Sequence, residues 1–254
     1  MGVAIVTGGS SGIGQATAFE IAARGHGVIL TYNGNERGAR DTVGAIEERG
    51  GTAVALRLDL AESARFPAFV SQVRDALASV WPADRLTALV NNAGLGGGSP
   101  FVETTEEQFD SMGRALFRGT YFLTQHVLAL LADGGAIVNV TSASVTTIER
   151  GGGYTVYAAN KAAVNTFTQY LAVELAERGI RVNAIAPGAT RTLISDNAFG
   201  RYAHLVPEIE KKTLLGRLGE PEDIAAVIAM LLSRDGRWIT GQIIEASGGY
   251  QFGI

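Results

Sequence analysis

The 254-residue sequence predicts an α/β fold: one doubly wound parallel sheet of about seven strands, with helices on both faces, in a single domain over residues 1–254. Two observations predict it. Short β-branched runs alternate with longer segments of helical periodicity, the pattern of strands joined by crossover helices. The short runs are also apolar almost throughout, as strands buried on both faces must be. No Pro/Ser-rich linker or internal repeat interrupts the alternation.

Taken in order, strands are expected at 3–8 (VAIVTG), 27–32 (GVILTY), 52–58 (TAVALRL), 88–92 (ALVNN), 136–142 (AIVNVTS), 181–186 (RVNAIA) and 242–246 (QIIEA). Between the third and fourth, Phe66, Phe69, Val70, Val73, Leu77 and Val80 recur at helical spacing, as do Val43 and Ile46 in the preceding helix. Gly25, Gly50 and Gly179 stand where helices should stop. Pro221, followed by Glu222 and Asp223, marks a helix start, since proline needs no N–H partner there and acids suit the positive end of the dipole.

Composition narrows the functions. The chain is 46% hydrophobic and 18% charged, with net charge −4, an ordinary globular balance that gives no support to nucleic-acid binding. It has no cysteine, which excludes disulfides, thiolate catalysis and cysteine metal sites. His26 and His126 have no ligand partners at metal spacing and His204 reads as a surface residue, so no metal is expected. The N-terminal MGVAIVTGG reads as a first strand rather than a signal peptide. No apolar run approaches the length of a membrane span, and a cytoplasmic protein is the expectation.

Two motifs carry chemistry. The first strand runs into TGGSSGIG (Thr7–Gly14) and then a helical segment. Glycines let that loop turn tightly and approach a pyrophosphate, while the helix N-terminus offers unpaired N–H groups. Further on, GGGYTVYAANKAA (Gly151–Ala163) sets Tyr157 four residues before Lys161, on one helix face, and Tyr154 seven before it. The glycines argue against a helix that begins as early as Tyr154.

With NNAG (Asn91–Gly94), a serine after the fifth strand and Pro187–Gly188, these motifs fall in one order along the whole chain. In that order the chain resembles the short-chain dehydrogenase/reductase family, and within it members like the 3-oxoacyl-[acyl-carrier-protein] reductases. The resemblance implies a Rossmann-type fold and an oxidoreductase that interconverts a ketone and a secondary alcohol with a nicotinamide cofactor. It makes Tyr157 the proton donor or acceptor, with Lys161 lowering its pKa and holding the nicotinamide ribose. A serine bonds the substrate oxygen. Strand alignment selects Ser142 for that serine, whereas separation from Tyr157 would select Ser144, here assigned to the substrate.

The family's cofactor contacts map onto Gly8, Ser10, Ser11, Gly12, Ile13, Gly14, Tyr32, Asn33, Asp59, Leu60, Asn91, Ala93, Gly94, Pro187, Gly188, Thr190 and Thr192, besides Tyr157 and Lys161. An acid that would bind NAD ribose hydroxyls is missing after the second strand, where LTYNGNERGAR holds none before Glu36. NADP(H) is therefore favoured over NAD(H), although the family's usual basic partners are missing too. Residues 189–219 are expected to form a lid over a small-molecule carbonyl or alcohol, with Tyr154, Phe199 and Tyr202 beside the substrate. A homo-oligomer, dimer or tetramer, would use the helices near 105–131 and 157–178.

One position departs from the family. Its usual asparagine, which supports a water linking the lysine to solvent, is Leu116 here. The departure keeps a second reading open, a nucleotide-binding protein with weak or lost catalysis. A third is an enoyl-type reductase using Tyr154, whose spacing to Lys161 fits that branch, although TGGSSGIG does not.

Overall fold

A computed structural model describes residues 2–148, 153–192, 200–201 and 203–250. Seven parallel strands form one sheet in the order β3-β2-β1-β4-β5-β6-β7. They are β1 (Val3–Val6), β2 (Gly27–Tyr32), β3 (Ala53–Arg57), β4 (Leu86–Asn91), β5 (Leu131–Val140), β6 (Arg181–Pro187) and β7 (Ile243–Ala246). Parallel neighbours require crossovers, and the helical segments supply them. These are α1 (Gly12–Ala23), α2 (Glu36–Glu47), α3 (Phe66–Val80), α4 (Glu106–Met112), α5 (Gly119–Val127) and α6 (Thr155–Glu174). Two more, α7 (Val206–Lys212) and α8 (Pro221–Leu232), follow β6.

Successive strand residues face opposite ways, and the two faces fill two cores. Val3 and Ile5 of β1 join Leu89, Ile137 and Val182 against Phe66, Phe69 and Leu77 of α3, Leu123 of α5 and Leu171 of α6. Ala4 and Val6 join Leu30, Val90, Val138 and Ile185 against Ile21 of α1, Ile46 of α2 and Ile228 of α8. Such full burial is worth about 1.5–3 kcal/mol for each large side chain. Pro221 opens α8 as the sequence predicts, and Asp223 completes its cap by accepting the Glu220 N–H at 2.7 Å.

The elements differ from expectation mainly at their ends. β1 stops at Val6 rather than Gly8, because Gly8 turns with φ +69°. β5 begins earlier, at Leu131, which pairs with Leu86 before the register shifts ahead of Ala88. Between α4 and α5 the helix widens into a π-turn over Gly113–Arg118. Such turns have a looser i→i+5 hydrogen-bond pattern and often stand at functional sites. Leu116 lies inside this one.

The strand order reverses between β1 and β4. In open parallel sheets the crevice beyond the carboxyl ends at such a point is where ligands bind. Both TGGSSGIG and NNAG leave their strands there.

Candidate active site

The glycine loop is locked to the neighbouring strands before any ligand is considered. Gly9 N–H donates to Thr31 O at 2.9 Å and Gly8 N–H to Thr31 Oγ1 at 3.2 Å. Thr7 Oγ1 accepts both Asn92 N–H and Ala93 N–H at 2.9 Å, and Asn92 Nδ2 donates to Thr7 O at 2.8 Å. The loop after β4 is thereby tied to the loop after β1. Gly14 has no room for a side chain, since a Cβ there would overlap Gly8 O and Asn92 Nδ2. Gly14→Ala is expected to push the loop apart, cost about 1–3 kcal/mol and weaken nucleotide binding. Thermal melting and a nucleotide titration measure it; a variant matching the wild type in both would disprove the close fit.

A cleft of about 1150 Å³ runs from this loop to the start of α6. Gly8, Ser10, Ser11, Gly12, Ile13, Tyr32, Asn33, Asp59 and Leu60 line one end. Ala93, Gly94, Pro187, Gly188, Thr190 and Thr192 line its middle. Two expected contacts fall outside. Asn91 does not line the cleft: its amide is buried in the core, donating to Asn139 Oδ1 at 2.8 Å and Thr124 Oγ1 at 2.9 Å. Its neighbour Asn92 lines the cleft in its place. Gly14 also lies behind the lining and acts through the shape of the loop. Phe199 and Tyr202 lie outside the described residues.

Asn35, which the motif reading passed over, both caps α2 by accepting Gly38 N–H at 3.0 Å and donates to Ser10 O at 3.2 Å. Its signal was an asparagine directly before Glu36 and a helical run. Among the described residues, Lys161 is the only lysine or arginine lining the cleft, and Asp59 the only acid. Arg37 is exposed, lies 3.8 Å from Asp41 and does not line the cleft. The neutral loop, its N–H groups and the cavity volume fit an elongated nucleotide.

The other end of the cleft is built from β5 and α6. β5 delivers Ser142, and α6 begins at Thr155, one residue after Tyr154. Tyr154 therefore precedes the helix and is 49% exposed, while Tyr157 and Lys161 stand one turn apart. Their rings place Tyr154 and Tyr157 edge to face, 6.0 Å apart. Ser142 and Tyr157 line the same cleft, and Ser144 Oγ donates to Ser142 Oγ at 2.9 Å. The structure thus joins both serines, and both line the cleft with the tyrosine.

Electrostatics here depart from the expectation that Lys161 lowers the tyrosine pKa. Burial raises the Tyr157 pKa; the Ser142 side chain opposes that and Tyr154 adds to it. Lys161 is itself buried, which lowers its pKa to about 8. Its Nζ lies 5.8 Å from the Tyr157 ring centroid and donates to Val140 O at 2.8 Å. Removing both groups from water disfavours phenolate and ammonium alike, so in the free protein desolvation outweighs their attraction.

The residue pattern decides the family. A family model described as enoyl-(acyl carrier protein) reductase matches residues 8–251. The chain belongs to the short-chain dehydrogenase/reductase family. Among similar proteins is a hydroxynaphthalene reductase-like protein of Metarhizium brunneum, 36% identical over 259 residues, covering 97% of this chain and 94% of the relative. The promiscuous reductase LugOII, which catalyses keto-reduction at C1 in lugdunomycin biosynthesis, superposes with TM-score 0.93 at 32% identity, over 99% of this chain and 98% of LugOII. The landomycin C-6 ketoreductase LanV, solved with NADP and rabelomycin, superposes with TM-score 0.89 at 32% identity, over 99% and 97% of the two chains.

Against that family, Leu116 stands out. It is 2% exposed in the π-turn, and its backbone carbonyl accepts Thr120 Oγ1 at 2.8 Å. A Cβ placed on Gly94 would lie 3.0 Å from Leu116 Cδ2 and 3.8 Å from Lys161 Nζ. The leucine therefore packs behind Gly94, close to the lysine. The neck of the 189–219 segment is closed by a bridge between Thr190 and Gly219, with Arg191 N–H donating to Gly219 O at 2.8 Å. From that segment α7 contributes Ile209 to the cleft wall.

Proposed function

We propose that this short-chain dehydrogenase/reductase is an NADP(H)-dependent ketoreductase, interconverting a fused-ring aromatic ketone and its secondary alcohol. The observation that carries the reading is that Ser142, Tyr157 and Lys161, the last two one helical turn apart, line a cleft continuous with the glycine loop. When bound, the nicotinamide would supply or accept the hydride. Lys161 would hold its ribose, and the glycine loop its phosphates. Ser142 would donate a hydrogen bond to the ketone oxygen, where negative charge develops. Tyr157 would give that oxygen its proton.

The aromatic substrate is supported by the cleft wall, which includes Leu95, Phe101, Ile148, Tyr154 and Tyr250, and by the compounds named for the relatives. Tyr154, exposed beside Tyr157, would form part of that wall. A homo-oligomer is supported by exposed apolar residues on the helices expected to pair, Phe109 on α4 and Tyr170 and Val173 on α6.

NADP(H) is supported by the missing acid after β2 and by LanV, which was crystallised with NADP. With no lysine or arginine among the described residues at that end of the cleft, the ribose phosphate would rest on neutral donors such as Ser11, Asn33 and Asn35. NADPH is therefore expected to bind more tightly than NADH by only about tenfold, or 1.4 kcal/mol. That margin should survive high salt, because no exposed ion pair is there to be screened. Fluorescence titrations at low and high salt decide it, and tighter NADH binding would overturn the assignment.

The activity is tested by following NADPH depletion against cyclic aromatic ketones and matching enones. Ketone turnover supports the reading. Alkene turnover alone would shift it to the enoyl-type reaction, and silence to a nucleotide-binding role.

A further inference from the structure

Each reduction would remove a proton from Tyr157, and on the lysine side the asparagine amide usual in the family is missing. Lys161 donates to Val140 O, and the position where the family has an asparagine holds a buried leucine. The Leu116 carbonyl already accepts the Thr120 hydroxyl.

The two serine hydroxyls offer a different connection. Ser142 Oγ accepts the Ser144 N–H at 3.2 Å and the Ser144 hydroxyl at 2.9 Å. A hydroxyl oxygen accepts two hydrogen bonds and donates one. With both acceptor positions filled from Ser144, the Ser142 proton is left to point elsewhere, and the cleft that Ser142 lines is shared with Tyr157, whose pKa the Ser142 side chain lowers against the effect of burial. The turn carrying Ser144, Ala143–Val145, is pinned by Thr146 Oγ1, whose one proton is shared between Ala143 O at 3.1 Å and Glu245 Oε2 at 3.2 Å. Ser144 is half-buried and lines the cleft, within reach of water entering its mouth.

We infer that Ser144 is a proton-relay residue, returning a proton from cleft water to Tyr157 through Ser142. The inference rests on the ketoreductase reading. In reduction the Tyr157 O–H bond breaks as its proton passes to the substrate oxygen. The phenolate then takes the Ser142 proton, Ser142 takes the Ser144 proton, and Ser144 takes one from water, leaving hydroxide to the solvent. No electrons move in the relay. The direction of the Ser144–Ser142 hydrogen bond is already the direction of supply.

The test uses the full-length protein with NADPH and 2-tetralone as probe ketone. Ser144→Ala is expected to lower kcat about tenfold, with KM unchanged and a larger solvent deuterium isotope effect. Ser144→Thr, which keeps a hydroxyl, should stay near the wild type. Adding Leu116→Asn to Ser144→Ala should recover part of the loss by opening a route on the lysine side. Wild-type kcat and isotope effect in Ser144→Ala, or a loss confined to KM, would overturn the relay.

A readout without turnover separates this from the parent reading. The phenol titrates by ultraviolet absorbance, taken as protein minus its Tyr157→Phe counterpart, with Tyr154 and Lys161 the titratable groups that face it. Ser144→Ala should raise the apparent phenol pKa, because Ser142 loses the donor that polarises it. An unchanged titration overturns the coupling. A shifted titration in a protein that reduces no ketone overturns the ketoreductase reading and supports the hydroxyl chain.

Discussion

Tyr157→Phe is expected to lower ketone reduction about 10³-fold, the scale of a lost general acid, while NADPH binds as before. The phenol oxygen is all that the substitution removes. Phenylalanine keeps the ring and its contact with Tyr154, and the side chains lining the nucleotide end of the cleft are untouched. Ser142 remains to polarise a carbonyl, so some residual turnover is expected. Tyr154→Phe should stay within about twofold of the wild type, since its side chain stands before the helix, half exposed, and makes no cap. Steady-state kinetics with fluorescence titration of NADPH checks both. The reverse pattern, with Tyr154 essential, would transfer the proton to the other tyrosine and favour alkene reduction.

The direction of the pKa shift gives that result a pH dependence. Burial keeps Tyr157 protonated above the ordinary phenol value, which is the form needed to reduce a ketone. Alcohol oxidation needs the phenolate and should grow as the pH rises through that raised value, while reduction declines.

Strands and glycine loop were legible in the sequence because their causes are local. An apolar run bounded by glycine is a buried strand in most contexts, and TGGSSGIG after such a run has few other uses. The spacing of Tyr157 and Lys161 was legible for the same reason, since one helix fixes it. Other features depend on contacts between distant segments. Strand alignment and chain separation disagreed over Ser142 and Ser144, and only the turn at Ala143–Val145 shows that the two hydroxyls meet. Asn91 and Asn92 are neighbours in sequence, but strand alternation sends the first into the core and leaves the second at the cleft. The tyrosine pKa was argued from the nearby charge, whereas its burial arises from packing that spacing does not reveal. The π-turn has no local signature either, although Leu116 at the family's asparagine position marked the region as unusual.

Lys161→Met is expected to remove a rise in stability that the wild type shows in alkaline solution without nucleotide. The Lys161 pKa is about 8 in the folded protein against an ordinary 10.5, because burial penalises the ammonium. Below pH 8 the folded and unfolded chains both carry the proton, and folding bears the whole desolvation cost. Between about 8 and 10.5 the unfolded chain binds more protons than the folded one, so stability climbs with pH. At about 1.4 kcal/mol per pH unit the climb amounts to about 3 kcal/mol. Tyr157 acts oppositely, its folded pKa being raised above 10.0, and its contribution begins only where the lysine climb is nearly complete. Methionine follows the lysine stem without the terminal ammonium, so the variant should be flat over pH 8–10 and more stable at pH 7. The gain at pH 7 is smaller than the full climb, because Val140 O loses its donor at a cost of about 1–3 kcal/mol. Urea unfolding of both proteins at intervals from pH 7 to 10 measures this, and parallel curves would show that Lys161 is not desolvated. The same substitution should destroy catalysis, since it removes the cation proposed to hold the ribose. A buried ammonium that makes the free protein less stable, and is kept beside the tyrosine proposed to donate the proton, is what a site built for binding and chemistry rather than for folding would contain.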